Sequence, residues 1–461
     1  MKRREFLFAA GVAALPKTRQ AAPRFEEIAK LVADKMAQYH VPGVALGIYK
    51  DGETVLRGFG ITSTDNAQPV TPDTVFSIAS ISKTFTATAM MKLVEQGRMD
   101  LKAPVRKYLP EFRVKDETVS REVAPWHLLT HTPGWEGQLT GEDRGLDTLN
   151  HFVTSDMKDL PPLSQPGTVW SYNNAGFALT GRIIEVVTGK NIHDAFRDLV
   201  LQPVGLTHTF TRSTEAMTYR FSLGHRQAGN ATQVIRPYQT GSSTTAGGFT
   251  TTITDMLKYA NFHLAKSALL DQMKVPLLTK NSTEDEMGIG WHIRKVGGVN
   301  TFAHGGTVNG HCLLVQLVPE RNLAFSILTN HTDGWQLVQD IERAILKSYE
   351  GLALTPNQRI GHRGVNEAMT GHASALNPQP QLDEYTGAYR RIPGDTSQVR
   401  ADGSRLSILT GGTTPVTLSF YSKDAAYVTS GAYVGQPYEF IRTPDGKVGW
   451  MRINGRVARK D

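Results

Sequence analysis

From Arg24 onward the apolar positions Phe25, Ile28, Leu31, Val32, Met36 and Tyr39 recur at helical spacing and predict an amphipathic helix that stops before Pro42. The period then changes. Val44 to Tyr49 and Thr54 to Phe59 are apolar-rich runs around Asp51-Gly52, the strongest short hairpin signal. Ser80 to Gln96 returns to a helical pattern, Leu101 to Phe112 reads as loop and turn, and Phe177 to Thr188 and Ile192 to Val200 predict two further helices. Cys312 to Val318 and Leu323 to Thr329 flank the turn Pro319-Glu320-Arg321-Asn322, and Trp335 to Tyr349 is amphipathic again. Strands at both ends with helices between them predict an α+β domain, its antiparallel sheet assembled from distant segments and flanked by helices.

The texture shifts after residue 351. Residues 352–381, with Pro356, Pro378 and Pro380 among several Gly and Asn, read as a linker between a domain spanning 24–351 and a smaller one spanning 382–461. In the latter, Ser404 to Leu409, Val416 to Ser422, Ala426 to Thr429, Tyr438 to Arg442 and Lys447 to Ile453 are short strands. They are broken by Asp402-Gly403, Asp445-Gly446 and Asn454-Gly455. Hairpins without helices predict a small antiparallel β-barrel, because closing the sheet removes its unpaired edges.

Charge and cysteine content narrow the function classes. The chain of 461 residues carries a formal net charge of +7, but residues 1–23 hold five cations against one anion, so +3 remains without them. With no basic stripe interleaved with aromatics, a nucleic-acid partner is excluded. Residues 1–23 read as an export signal: Arg3-Arg4 ahead of Phe6-Leu7 is a twin-arginine pattern, and the apolar run Phe6 to Leu15 is too short to span a bilayer. The expected location is the periplasm or outside the cell, with no transmembrane span once the signal is removed. The single cysteine, Cys312, allows neither an internal disulfide nor a zinc site built on paired cysteines.

Two Ser-x-x-Lys motifs occur, Ser80-Ile81-Ser82-Lys83 and Ser155-Asp156-Met157-Lys158. Ser155 runs within a few residues into Pro161-Pro162, whereas Ser80 opens a helix continued by Phe85, Ala87, Ala89, Met90 and Leu93. At i and i+3 the two side chains share a helix face, so Lys83 can take the proton of Ser80 if burial lowers its pKa. In isolation such a motif is more often a capping serine and a surface lysine. Two other segments alter the balance: Trp170-Ser171-Tyr172-Asn173-Asn174, with a Tyr-x-Asn, and Phe302-Ala303-His304-Gly305-Gly306-Thr307, with a His-x-Gly.

In this order and spacing the three motifs resemble the serine β-lactamase and penicillin-binding-protein family, in particular class C β-lactamases, D-amino-acid peptidases and related esterases. The likeness covers roughly residues 25–350 and is supported by Leu128-Leu129-Thr130-His131-Thr132-Pro133-Gly134, Pro203-Val204-Gly205-Leu206, Ala246-Gly247-Gly248-Phe249 and Gly288-Ile289-Gly290-Trp291. The tail beginning Leu382-Asp383-Glu384-Tyr385 resembles the lipocalin-like barrel appended to some members. The resemblance implies a β-lactamase/transpeptidase-like domain with a helical subdomain. Ser80 would be the nucleophile, Lys83 its base and Tyr172 the proton relay to the leaving group. Asn174 would bond Lys83 or a substrate amide, and the N–H groups of Ser80 and Thr307, beside His304 and Gly306, would form the oxyanion hole.

One departure matters. The family's β-lactamases carry Lys-Thr-Gly where this chain has His304-Gly305-Gly306, and a histidine offers a substrate carboxylate less charge than a lysine does. A rival assignment takes Ser171-Tyr172-Asn173 as a class A-like Ser-x-Asn. No Gly-x-Ser-x-Gly elbow, P-loop or dinucleotide fingerprint occurs, and His127 and His131 lack the glutamate of a zinc peptidase. The expectation is a serine hydrolase acting through a Ser80 acyl-enzyme on a small molecule or short peptide, a D-residue peptide or carboxylic ester, with no metal or organic cofactor. A β-lactamase and a catalytically silent penicillin- or ligand-binding protein stand as alternatives.

Overall fold

A computed structural model of the chain describes residues 22–139, 144–236, 244–279, 286–354, 376, 378–392, 394–411, 414–431 and 434–461. The export segment up to residue 21 and most of the expected linker lie outside the described residues. The first helix, α1 (Ala22–Gln38), leads into the hairpin β1 (Gly43–Lys50) and β2 (Glu53–Gly60). Asp51 and Gly52 join the strands with φ of +50° and +95°, the left-handed pair that a two-residue hairpin turn demands. The three longest of the described helices in the middle of the chain are α2 (Ser82–Glu95), α3 (Asn174–Thr188) and α4 (Ile253–Leu264). The sheet resumes with β3 (Leu278–Thr279), β4 (Glu286–Met287), β5 (His292–Val296), β6 (Val299–Val308), β7 (His311–Val318) and β8 (Leu323–Thr329), and α5 (Gly334–Glu350) closes this part.

These eight strands form one antiparallel sheet in the order β2-β1-β8-β7-β6-β5-β4-β3. The two ends of the segment thus meet inside the sheet, one strand in from the β2 edge, where Val44 to Lys50 pairs residue for residue with Thr329 to Leu323. Both faces of β7 are buried. Leu313, Val315 and Leu317 pack toward the helices of the middle segment, and Cys312, Leu314 and Val318 pack toward α1 and α5. A strand covered on both faces must read as a nearly continuous apolar run, which is how Cys312 to Val318 reads apart from the buried Gln316, whose Oε1 accepts from Arg294 Nη2 at 3.3 Å. Helix α2 is buried on nearly every side, so Thr84, Thr86 and Thr88 turn their hydroxyls onto carbonyl oxygens.

The tail is a closed barrel of eight strands, not the five expected. They are β9 (Gly387–Ile392), β10 (Asp395–Asp402), β11 (Arg405–Thr410), β12 (Val416–Ser422), β13 (Ala425–Ser430), β14 (Pro437–Arg442), β15 (Val448–Ile453) and β16 (Arg456–Lys460). The three that escape the sequence pattern are β9, β10 and β16, whose sequences GAYRRI, DTSQVRAD and RVARK bury only Tyr389, Ser397 with Val399, and Val457 with Ala458. Tyr385, Tyr389, Leu406, Phe420, Phe440 and Met451 fill the barrel interior. On its outside Ile441, Trp450 and Val457 form a separate buried cluster with Leu163 and Val169 of the larger part, and Trp450 Nε1 donates to the Leu163 carbonyl at 2.8 Å. Among the described residues no helix is long and apolar enough to cross a membrane.

Candidate active site

Ser80 does not sit in the long helix that the sequence predicts. It occupies its own 3-10 turn, Ala79–Ile81, ahead of α2. The cause is Ala79, whose φ of +47° is left-handed, a conformation that costs a side-chain-bearing residue about 1–3 kcal/mol unless its surroundings hold it. Ser82 provides the hold: its hydroxyl donates to Ala79 O at 2.6 Å and accepts the Phe249 N–H at 3.0 Å. Ile78 N donates to Phe249 O at 3.0 Å, so the stretch around Ala246 to Phe249 clamps the serine turn from outside.

Lys83 is fully buried, with Nζ donating to Ser80 Oγ at 3.2 Å and to the Ala246 carbonyl at 2.6 Å. Among the described residues no carboxylate pairs with it. Burial, and secondly the positive charge of Arg456, hold its ammonium well below the ordinary lysine range. The Tyr172 ring lies 4.7 Å from Lys83 Nζ, and its hydroxyl shares a hydrogen bond with Ser80. Burial pushes this phenol up to about 12, against the smaller opposite pulls of Ser80 and Arg456. Ser80 Oγ therefore stands between an amine driven toward its neutral form and a phenol that keeps its proton, the pairing that general base and general acid roles require.

Strand β6 supplies the other wall. Its first half, Val299 to Ala303, pairs with β5, while Phe302 to Val308 pairs with β7, leaving the edge from His304 to Val308 without a β5 partner. Gly306 lets this edge approach the serine turn: a Cβ there would stand 2.5 Å from Ile78 O and 3.1 Å from Ala79 Cβ. Thr307 is anchored through Oγ1, which accepts Trp335 Nε1–H at 2.7 Å. His304 Nδ1 lies 2.7 Å from Gly305 O, and its ring meets that of His292 edge-on at 5.2 Å.

A cleft of about 720 Å³ opens over these groups, lined by Ser80, Tyr172, Asn174, His304, Gly306 and Thr307. Lys83 lies beneath it. Asn174 is the first residue of α3, and its neighbour Asn173 caps that helix by accepting Gly176 N–H at 2.7 Å. The lysine bonds to Ser80 and Ala246, which leaves Asn174 facing the cleft. In the rival Ser-x-Asn assignment both residues have other duties, since Asn173 is the buried cap and Ser171 Oγ accepts Val457 N–H at 3.2 Å. Lys158 of the second Ser-x-x-Lys is exposed. His127 and His131 use Nδ1 to accept the backbone N–H groups of Ala124 and Asn173, both at 2.9 Å.

The opposite wall is made by the barrel, through Arg391, Asp395, Ser397 and Arg456. None of these, nor Glu136 beneath Arg456, stands out in the sequence. The one signal is the turn Asn454-Gly455, which marks a hairpin but says nothing of where it points. Arg391 follows Arg390 at a bulge in β9 and pairs with Asp395 at 2.6 Å.

Comparison with known proteins accords with this geometry. The family model described as Beta-lactamase matches residues 28–350. Penicillin-binding protein 4 of Amycolatopsis lactamdurans is 31% identical over 336 residues, covering 69% of this chain and 88% of that protein. Among solved structures, SurE superposes with a TM-score of 0.80 at 22% identity over 96% of this chain and 100% of its own. A beta-lactamase/D-alanine carboxypeptidase from Pseudomonas syringae superposes with a TM-score of 0.61 at 18% identity, over 71% of this chain and 99% of its own. The first likeness spans the barrel as well as the sheet and helices, which the second does not. With the family model covering most of the chain and the fold shared throughout, this protein belongs to the β-lactamase family of serine hydrolase fold.

Proposed function

We propose that the protein is a serine hydrolase that cleaves an amide or ester through an acyl-enzyme on Ser80, its substrate a D-residue peptide or a carboxylic ester. The observation that carries the reading is Lys83, buried without a carboxylate partner among the described residues and 3.2 Å from Ser80 Oγ. A charged lysine is costly in such a place, and a neutral one is a base. As Ser80 Oγ attacks the carbonyl carbon, its proton passes to Lys83 Nζ. The oxygen of the tetrahedral intermediate is met by N–H donors from the serine turn and from β6 near Thr307. When the bond to the leaving group breaks, Tyr172 gives its proton to that group and regains one from Lys83. Water, deprotonated by the same residues, then releases the acid and restores Ser80.

The substrate class rests on the cleft and on relatives. Arg391, Asp395 and Arg456 line it with charge of both signs, which favours a peptide over an apolar ester. SurE has been solved with D-Leu, and another structural relative is a D-alanine carboxypeptidase. His304 in place of the lysine of the family's β-lactamases weighs against β-lactam hydrolysis, which is the second reading. The Arg3-Arg4 pattern supports export. The test is covalent labelling with a fluorophosphonate and a penicillin, read by mass spectrometry. Label is expected on Ser80, with labelling and turnover both lost in Ser80→Ala. Label at another serine, or turnover surviving in Ser80→Ala, refutes the acyl-enzyme.

A further inference from the structure

The hairpin of β15 and β16 reaches out of the barrel into the cleft, turning at Asn454 and Gly455 with φ of +49° and +73°. It binds three successive residues of the segment that carries Tyr172. Arg452 Nη1 donates to Trp170 O at 3.3 Å, Val457 N to Ser171 Oγ at 3.2 Å, and Tyr172 N to Gly455 O at 2.7 Å. The next residue of the turn, Arg456, lies with its guanidinium 5.9 Å from the centre of the Tyr172 ring, within cation–π reach. It is mostly buried, and Nη1 pairs at 3.3 Å with Glu136, which is 2% exposed. Glu136 is fixed in turn by Oε2, which accepts Gln138 N–H at 2.6 Å. The Tyr172 ring thus has Lys83 Nζ at 4.7 Å and Arg456 at 5.9 Å.

Resting on the acyl-enzyme reading, we propose that Arg456, supplied by the barrel, is a positioning residue of the reaction: with Glu136 it holds Tyr172 against Ser80, and it sets a fixed positive charge within reach of the same ring as Lys83, the partner of Ser80. A guanidinium does not lose its proton at any working pH, so it acts on its neighbours as a fixed charge. Such a charge disfavours a second one on Lys83, in the same direction as burial. The other titratable groups around Lys83 and Tyr172 do not replace it. His131 stacks on Tyr172 at 4.5 Å and uses Nδ1 to accept a backbone N–H; His292 and His304 lie on the sheet wall of the cleft. Tyr259 and His263 approach the far side of α2 through Thr88, and Arg391 is paired with Asp395. The barrel is then part of the catalytic apparatus rather than an appended module, although the motifs for nucleophile, base and acid all lie outside it.

The experiment uses the full-length protein and the variants Arg456→Gln, Arg456→Lys and Glu136→Gln. Acylation of Ser80 by an uncharged activated ester is followed against pH, with a carboxylate-bearing ester alongside and thermal unfolding as the check on folding. In Arg456→Gln the acid limb of the acylation rate should move to higher pH, lowering the rate at neutral pH by roughly tenfold or more for the uncharged ester, with KM little changed. Arg456→Lys should restore most of the wild-type profile. Glu136→Gln, which leaves the arginine charge uncompensated, should move the limb the other way. If Arg456→Gln does not fold, Arg456→Lys and Glu136→Gln decide, the first expected near the wild-type limb and the second below it. An unmoved limb in the folded variants, or a loss confined to KM of the carboxylate-bearing ester, overturns the proposal and makes Arg456 a substrate contact. A wild-type protein that never acylates at Ser80 instead refutes the acyl-enzyme reading on which it rests.

Discussion

Adding one methyl group to Gly306 isolates the role of the close approach between β6 and the serine turn. The Cβ of Gly306→Ala would lie 2.5 Å from Ile78 O, a backbone atom two residues before Ser80, where about 3.4 Å is ordinary contact. The strand and the turn must separate by about 0.9 Å, since no flexible side chain is available to give way. A displacement of about 1 Å between reacting groups costs on the order of 10²-fold in rate, and loss of one oxyanion donor costs roughly 10²- to 10³-fold. The expected result is a fall of roughly 10²-fold or more in the acylation rate of Ser80, borne by kcat and not by KM. Overpacking should cost about 1–3 kcal/mol of stability, leaving the protein folded. Gly247→Ala is the control, because it touches the same turn from the other side. Its Cβ would meet Ala79 no closer than 3.6 Å, and its φ is not left-handed, so it should acylate at the wild-type rate. Stopped-flow acylation with a chromogenic ester, with thermal unfolding in parallel, measures both. A folded Gly306→Ala that acylates like the wild type, or a Gly247→Ala equally damaged, refutes the argument that β6 shapes the oxyanion site.

Two further outcomes follow from buried groups away from Ser80. Trp450→Ala removes the largest side chain at the contact between the barrel and the larger part, and leaves Leu163 O without its 2.8 Å donor. It should cost about 3 kcal/mol and lower kcat with the barrel interior intact, whereas unchanged Tm and turnover would mean that the contact holds nothing in place. His311 is fully buried, and burial holds its imidazole down to about 4, so the folded state keeps it neutral while the unfolded state takes up a proton below about 6.5. The unfolded state binds more protons in that window, so stability is full above about pH 6.5 and falls as pH drops toward about 4, by up to about 3 kcal/mol from this residue. Denaturant titrations of wild type and His311→Gln across pH 4–7.5 should show a shallower slope in the variant, and parallel slopes would remove His311 as the cause.

Much of the larger part was legible in the sequence because its signals are local. Asp51-Gly52 marks a hairpin by the backbone conformation it alone tolerates, and the strand from Cys312 reads apolar because both of its faces are covered. Ser80 and Lys83 are three residues apart and required only a turn to bring them together. The rest of the site lay beyond any window along the chain. Which of two Ser-x-x-Lys motifs is buried depends on residues 79, 246 and 249 meeting across the fold, and the left-handed Ala79 that sets Ser80 apart from its helix leaves no mark in composition. Three barrel strands went unread for a related reason. These strands bury only one or two residues each among Arg, Asp and Ser, too few for an alternation that sequence reading detects. One of those strands bears Arg456, which stands 284 positions after Tyr172 in the chain yet against its ring in the fold. Sequence alone marked most of the elements and set Ser80 beside Lys83, because helices, turns and i,i+3 pairs are properties of short segments. Only the tertiary structure decided what surrounds them, because burial and charge at Lys83 are set by groups that the chain brings together from far apart.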